Sequence, residues 1–372
     1  MKKSYLMIAA AAALLTACAG NDTFHEIEVQ ESPITFNQAL NKTTRAYIAD
    51  EAGLANAGGF GVYGYKKKNS DSDWTSQQTI FDNTNVNSSD QGTTWAYSNL
   101  RFWDKAAHYN FYAIAPYKAS GYTIAPSTGM FTINSVASAL YSSSDDYMID
   151  RDGNTNVDGS YTSSHEKVNL EFHHIMAKVD FKLKSTLAQS SNTQQAAKIV
   201  VRRLVMTGWN SGNGKFIQSS NATPTTLTKD EWTIETSGAG SVTILDGAND
   251  NDDITITCGG TDIKDVPNWY IMVPQIIAEA VQAPSEVTPL RFEIDYTYYH
   301  DENETPTDDL GDDYTEVFDN QVATYSTQHI WGTDSHTTYT LDIKPAAIEF
   351  DVTNICGFHV IQNSDTNPID VQ

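Results

Sequence analysis

Two stretches near the start of the chain carry residue types suited to covalent processing. Leu15-Thr16-Ala17-Cys18 sets a thiol directly after small residues. Lys2 and Lys3 give a basic start, and Tyr5–Leu15 is an apolar run broken only by small residues, the layout of a secretory signal ending in a lipobox. The run is shorter than the roughly 20 apolar residues a bilayer span needs. It therefore predicts export, cleavage before Cys18 and a lipid on the Cys18 thiol. The second stretch, Thr43-Thr44-Arg45-Ala46, holds a basic residue between small ones and comes after the short alternating segment Ile34-Thr35-Phe36. It reads as a processing mark and equally as a plain surface Arg in a linker.

Other candidate chemistries are weaker. Asp150, Asp152, Asn154, Asn156 and Asp158 alternate in an acidic, turn-rich segment, as ligands of a calcium loop do. The EF-hand order is missing, with Gly153 out of place and Tyr161 where the twelfth-position Glu belongs. A solvated loop accounts for the same residues. His173 and His174 are adjacent, which sends their side chains to opposite faces of a strand, and no carboxylate or third His stands at ligand spacing. A structural role and no metal are expected. Trp95, Tyr97, Trp103 and the Tyr296–Tyr299 set offer a sugar-stacking platform, but aromatics of this size more often fill a core. There is no Gly-x-Ser-x-Gly elbow, phosphate loop or His-Glu-x-x-His motif, and no Cys with an evident His partner. No catalytic residue and no cofactor are expected, although glycosidase carboxylates seldom show in one sequence.

Composition frames these stretches. The chain has 372 residues, 40% of them hydrophobic and 11% aromatic, with 19 Tyr, 14 Phe and 7 Trp, which suits a β-rich extracellular protein with a sizeable core. A net charge of −24 repels phosphate backbones and anionic membrane surfaces, so nucleic acid is not an expected partner and any membrane hold falls to the lipid. With Cys18 lipidated, Cys258 and Cys356 remain, and export permits either a disulfide or two buried thiols.

The elements that must position these residues read as strands. Ile34-Thr35-Phe36, Gly61–Tyr65, Tyr109–Ala115 stopped by Pro116, Ile199–Thr207, Tyr270–Val273 stopped by Pro274, Arg291–Tyr299, Tyr339–Ile343 and Ile348–Val352 are apolar-rich and mostly alternating. Val168–Leu183 reads as one or two buried strands around a kink at His173-His174. Residues 46–59 read as a loop or a cleaved, frayed end, and Lys66-Lys67-Lys68 as a solvated turn or a protected edge. Residues 185–198 suit a linker or a helical turn. Short strands between Gly, Pro and Asn turns give an all-β sandwich architecture.

Taken in order, Leu15–Cys18, the Ile34–Phe36 strand, Thr43–Ala46, Phe60-Gly61-Val62-Tyr63, Trp103–Pro116, Leu170–Phe181, Ile271–Gln275 and Tyr339–Val352 resemble the fimbrillin family, the pilin-like lipoproteins of type V pili. The resemblance implies two tandem transthyretin-like β-sandwich domains. The division is a signal peptide at 1–17, a lipidated propeptide with a removable strand at 18–45, sandwiches at 46–165 and 166–352, and a tail at 353–372. It further implies a precursor held at the outer membrane by the lipid on Cys18, and a cut by an Arg-specific protease between Arg45 and Ala46. The Ile34/Phe36 strand then leaves, and a strand from another pilus subunit takes its place in a fimbrium on the cell surface. Phe358 and Val360 are the candidate donor residues. The alternative is a monomeric surface lipoprotein that binds glycan through exposed aromatics. Stalk or tip position, and any adhesive ligand, stay open.

Overall fold

In a computed structural model, residues 32–40, 48, 50–140, 146–151, 153–159, 167–188, 197–222, 224–235, 238–247, 252–277, 289–300, 314–325, 327–345 and 347–356 are described. They form one short helix and a series of strands. In chain order these are β1 Phe36–Leu40, α1 Glu51–Asn56, β2 Phe60–Lys68, β3 Gln78–Val86, β4 Ala107–Ala115, β5 Tyr122–Ala125, β6 Met130–Val136, β7 Ala139–Leu140, β8 Met148–Asp150 and β9 Asn154–Asp158. Next come β10 Val168–His174, β11 Ala177–Lys184, β12 Lys198–Asn210, β13 Gly214–Ile217, β14 Trp232–Ile234, β15 Ala239–Asp246, β16 Ile254–Thr257 and β17 Lys264–Asp265. The last are β18 Tyr270–Met272, β19 Gln275–Ile277, β20 Arg291–His300, β21 Tyr314–Thr324, β22 His329–Trp331, β23 Ser335–Lys344 and β24 Ala347–Cys356. The protein is all-β, as its alternating segments predict.

The first sheet runs β1-β10-β8-β4-β2-β3, with β9 also paired to β4. A four-stranded sheet, β14-β13-β6-β5, packs on one of its faces through Tyr63, Tyr112, Phe131, Ile133, Phe216 and Trp232. The opposite face is covered by α1 and by residues 95–103, whose Trp95, Tyr97 and Trp103 lie on the core of Phe36, Phe60, Phe81 and Phe111. β2 and β4 are consequently buried on both faces for most of their length. That explains why they read as continuous apolar runs instead of alternating ones. The second half builds the sheets β24-β23-β11-β18-β7 and β15-β12-β20-β21 around a core that includes Phe181, Phe292, Tyr339 and Phe350.

The strands cross the junction expected near residue 165. β10 pairs with β1 and β8 in the first sheet. β13 pairs with β6, and β7 pairs with β18. Val168–Leu183 is two strands, and the break at Ile175–Met176 sends β10 and β11 into different sheets. The segment read as a solvated calcium-like loop is instead strand β9 over Asn154–Asp158, its register held where the Asn156 N–H donates to the Asn110 side chain at 2.7 Å. Residues 46–59, read as a loop, include α1, whose first turn is capped by Asp50 accepting from the Gly53 N–H at 2.7 Å. Lys66, Lys67 and Lys68 end β2 and stay paired with β4. β24 runs to Cys356, three residues into the expected tail.

Candidate functional site

The leading strand sits in a groove made from three directions. On one side β10 runs parallel to it, with Phe36 opposite Val168 and Leu40 opposite Phe172. On the other side lies a strap, residues 97–103. The Ile34 N–H donates to the Arg101 carbonyl at 2.8 Å, and the Trp103 N–H donates to the Ser32 carbonyl at 3.1 Å. The Val168 N–H donates to the Thr35 carbonyl at 2.8 Å. Beneath, Ile34 and Phe36 are buried in the core at 0% and 1% exposure, with Asn37 facing outward. Alternation puts the two apolar side chains on one face, as a half-buried strand requires.

The pocket for Phe36 is aromatic. Its ring meets Phe81, Tyr97 and Phe111 edge-on, with centroids 5.3, 5.7 and 5.9 Å away. Edge-to-face contact of this kind is favourable beyond the area it buries. Gly64 makes the room: a Cβ there would fall 2.6 Å from the Phe81 ring and 3.2 Å from that of Phe111. Tyr97 closes the pocket from above and donates its hydroxyl to the Ile34 carbonyl at 2.8 Å. Burial raises its pKa, opposed by the Arg101 backbone, so the hydroxyl remains a donor at neutral pH. Trp103 packs edge-on against Tyr109 at 4.9 Å and anchors the far end of the strap. The near end is set where Asn87 and Ala96 exchange two backbone hydrogen bonds of 2.9 Å.

A separate clasp holds the chain downstream of Arg45. Ile48 is fully buried, and its N–H donates to Asp146 Oδ2 at 3.3 Å. The other Asp146 oxygen lies 2.7 Å from His174 Nδ1, at the end of β10. Burial works against a proton on His174, but the Asp146 carboxylate outweighs it and raises the pKa. Nearby Asp334 is pushed up to about 7 by burial, partly offset by His174 and Arg151. Arg151 itself makes a buried two-point ion pair with Glu231, at 2.6 and 3.1 Å, joining the strand end after β8 to the start of β14.

The model of the fimbrillin-like family matches residues 44–353. The chain belongs to the fimbrillin-like family. The matched span runs from ahead of α1 into β24, and leaves β1 ahead of it. Among solved structures, the chain is similar to a fimbrial protein from Bacteroides vulgatus, at 17% identity and a TM-score of 0.49 over 87% of this chain and 99% of that one. It is also similar to a fimbrial assembly protein from Parabacteroides distasonis, at 9% identity and a TM-score of 0.33 over 86% and 96% of the two chains. A comparison with curated proteins gave no match.

In this fimbrillin-like chain the residues singled out from sequence fall in different places. Ile34 and Phe36 are brought together in the groove. Cys18, Arg45, Ala46, Phe358 and Val360 lie outside the described residues. Trp95, Tyr97 and Trp103 pack inward on Phe60, Phe36 and Tyr109, and Tyr296 is buried against Phe318 at 4.7 Å. His174 is tied to Asp146, and His173 lies 3.6 Å from Glu171. Among the described residues no cluster of His, Cys, Asp or Glu forms a metal site. Cys258 is buried, and burial raises the pKa of its thiol. The strap carbonyl of Arg101 and the Ile48–Asp146 clasp were not foreseen. They act through main chain or a lone carboxylate and leave no pattern in sequence.

Proposed function

We propose that this chain is a subunit of a cell-surface fimbrium, with other pilus subunits as its partners. It is exported as a lipoprotein on Cys18, held at the outer membrane, and cut after Arg45 by an Arg-specific protease. It then polymerises when β1 leaves and a strand from another subunit fills its groove. One observation carries the reading: Arg45 lies between two independently anchored pieces of chain. The leading segment upstream contributes Ile34, ahead of β1, and Phe36, in β1, to the core, and Ile48 downstream is clasped by Asp146. A cut at Arg45 therefore frees a strand while Ile48 keeps the new end of the chain in place.

The energetics require a replacement. Fully burying an Ile and a Phe side chain contributes about 1.5–3 kcal/mol each. A whole domain is stable by only about 5–15 kcal/mol. Losing β1 would also strand the peptide groups of β10 and the strap, which need partners when buried. An open groove is thus a strong acceptor for an extended segment, whose main chain can restore the ladder while alternate side chains fill the pockets.

The test is N-terminal sequencing of surface-extracted protein with a gel for heat-stable ladders. The native chain should begin at Ala46 and form ladders, and Arg45→Ala should keep the leader and lose the ladders. Normal ladders from Arg45→Ala would refute the reading.

A further inference from the structure

A protease that cuts after Arg45 meets five other Arg in the chain: Arg101, Arg151, Arg202, Arg203 and Arg291. The fold withholds four of them. Arg151 is buried in its ion pair with Glu231. Arg202 and Arg203 lie inside β12, and Arg291 opens β20 with Thr207 paired on one side and Thr324 on the other. Cutting at these strands means first opening a sheet, and proteolysis of a folded chain follows the population of such openings. Arg101 differs. It stands in the strap, outside the named strands, and every residue from Ser98 to Phe102 is exposed. Nicking concentrates in arches of this kind.

The leader itself guards Arg101. The Arg101 carbonyl accepts from the Ile34 N–H at 2.8 Å, with the Tyr97 hydroxyl farther off at 3.5 Å. One residue on, Phe102 sits opposite Pro33 in an antiparallel bridge, and the Trp103 N–H donates to the Ser32 carbonyl at 3.1 Å. The side chain is held as well: Nε donates to the Ile80 carbonyl at 3.3 Å and Nη1 to the Asn99 carbonyl at 2.6 Å. To hydrolyse the Arg101–Phe102 bond, a protease must aim its own donors at the Arg101 carbonyl oxygen, where charge develops. The Ile34 N–H already holds that oxygen, so leader and protease compete for one atom. Resting on the processing reading above, we infer that the Arg101–Phe102 bond is a second site for the Arg-specific protease. It is closed while the leader lies in the groove and open once the leader is lost and nothing has replaced it. Water adds across the bond, leaving a carboxylate on Arg101 and an ammonium on Phe102. The strap is then severed between its anchors, Trp95 against Phe60 and Trp103 against Tyr109, and the groove loses a wall. The arrangement checks assembly: a subunit with an empty groove is nicked, and one with an occupied groove is spared.

The test is digestion of the full-length precursor, kept dilute, with a purified Arg-specific endoprotease, followed by N-terminal sequencing and intact mass. The native chain should yield the Ala46 end first and the Phe102 end after it. In Arg45→Ala, which keeps the leader attached, the Phe102 end should form roughly ten- to a hundredfold more slowly, the span that two main-chain hydrogen bonds of ordinary net strength set. A synthetic peptide of residues 32–40 added to the cut chain should restore protection, and the same peptide carrying Phe36→Ala should not. Arg101→Lys should keep the Ala46 end and give no Phe102 end. A Phe102 end that forms as fast in Arg45→Ala as in the native chain would overturn the guarding role of the leader. Chains that start at Ala46, are separated from the leader on a sizing column and still stay whole at Arg101 would overturn the second site and leave cleavage at Arg45 standing. No Ala46 end at all would remove the processing reading and the inference with it.

Discussion

Replacing Phe36 by Ala tests whether β1 is part of the folded core before cleavage. Phe36 is buried to 1% exposure among three aromatic rings. Truncating such a side chain costs about 3–5 kcal/mol, transfer and cavity together. That is a large share of the about 5–15 kcal/mol that holds a domain. The measurement is urea unfolding of the uncut precursor, kept whole by Arg45→Ala. At a slope of about 3 kcal/mol per molar urea, the midpoint should fall by roughly 1–2 M. Asn37→Ala, on the outward face of the same strand, should stay within about 0.5 kcal/mol of the parent. In chains cut at Arg45 the Phe36→Ala change should have no effect, because the residue has left with the leader. The same loss biases release: each 1.4 kcal/mol is tenfold, so β1 should leave its groove about a hundredfold to a few thousandfold more readily. An uncut Phe36→Ala precursor that unfolds at the parent's midpoint would refute the reasoning, since the groove would not depend on the side chain that defines it.

Two further predictions concern the buried charges around the clasp. Asp334 has its pKa raised from 3.8 to about 7, mainly by burial, so it favours the folded state below about pH 4 and this contribution is lost as pH rises through about 7. Asp334→Asn should therefore stabilise the protein above pH 7 by at most about 4 kcal/mol, with no difference near pH 4, read by thermal unfolding across pH. Asn also tolerates the positive φ of 55° at this position. Glu231→Gln should destabilise by about 3–5 kcal/mol, because it leaves the Arg151 guanidinium buried without its counter-charge. The double change Arg151→Met with Glu231→Leu should recover most of that loss in urea unfolding.

The β class, the proline-stopped strands and the inward face of Ile34 and Phe36 were legible because each is written in a few neighbouring residues. The sheet partners were not. Gly214 pairs with Val136, and Tyr270 with Leu140; such pairings join distant parts of the chain and leave no local mark, so the strands cross the division that the family resemblance implies near residue 165. β9 escaped notice because its residues are polar and largely exposed, which removes the apolar alternation that identifies a strand. Tyr97 carried a double signal, aromatic area and a hydroxyl. Only the fold shows that the ring closes over Phe36 while the hydroxyl holds the Ile34 carbonyl.

The strap grips the segment leading into β1 at Ser32 and Ile34 through peptide groups, between Trp103 and the one and Arg101 and the other. A hold of that sort is blind to side chains and would accept any extended segment laid along it. Discrimination between self and related subunits then falls to two small cavities, and modest changes in their lining would decide whether copolymers of mixed composition assemble in a set order.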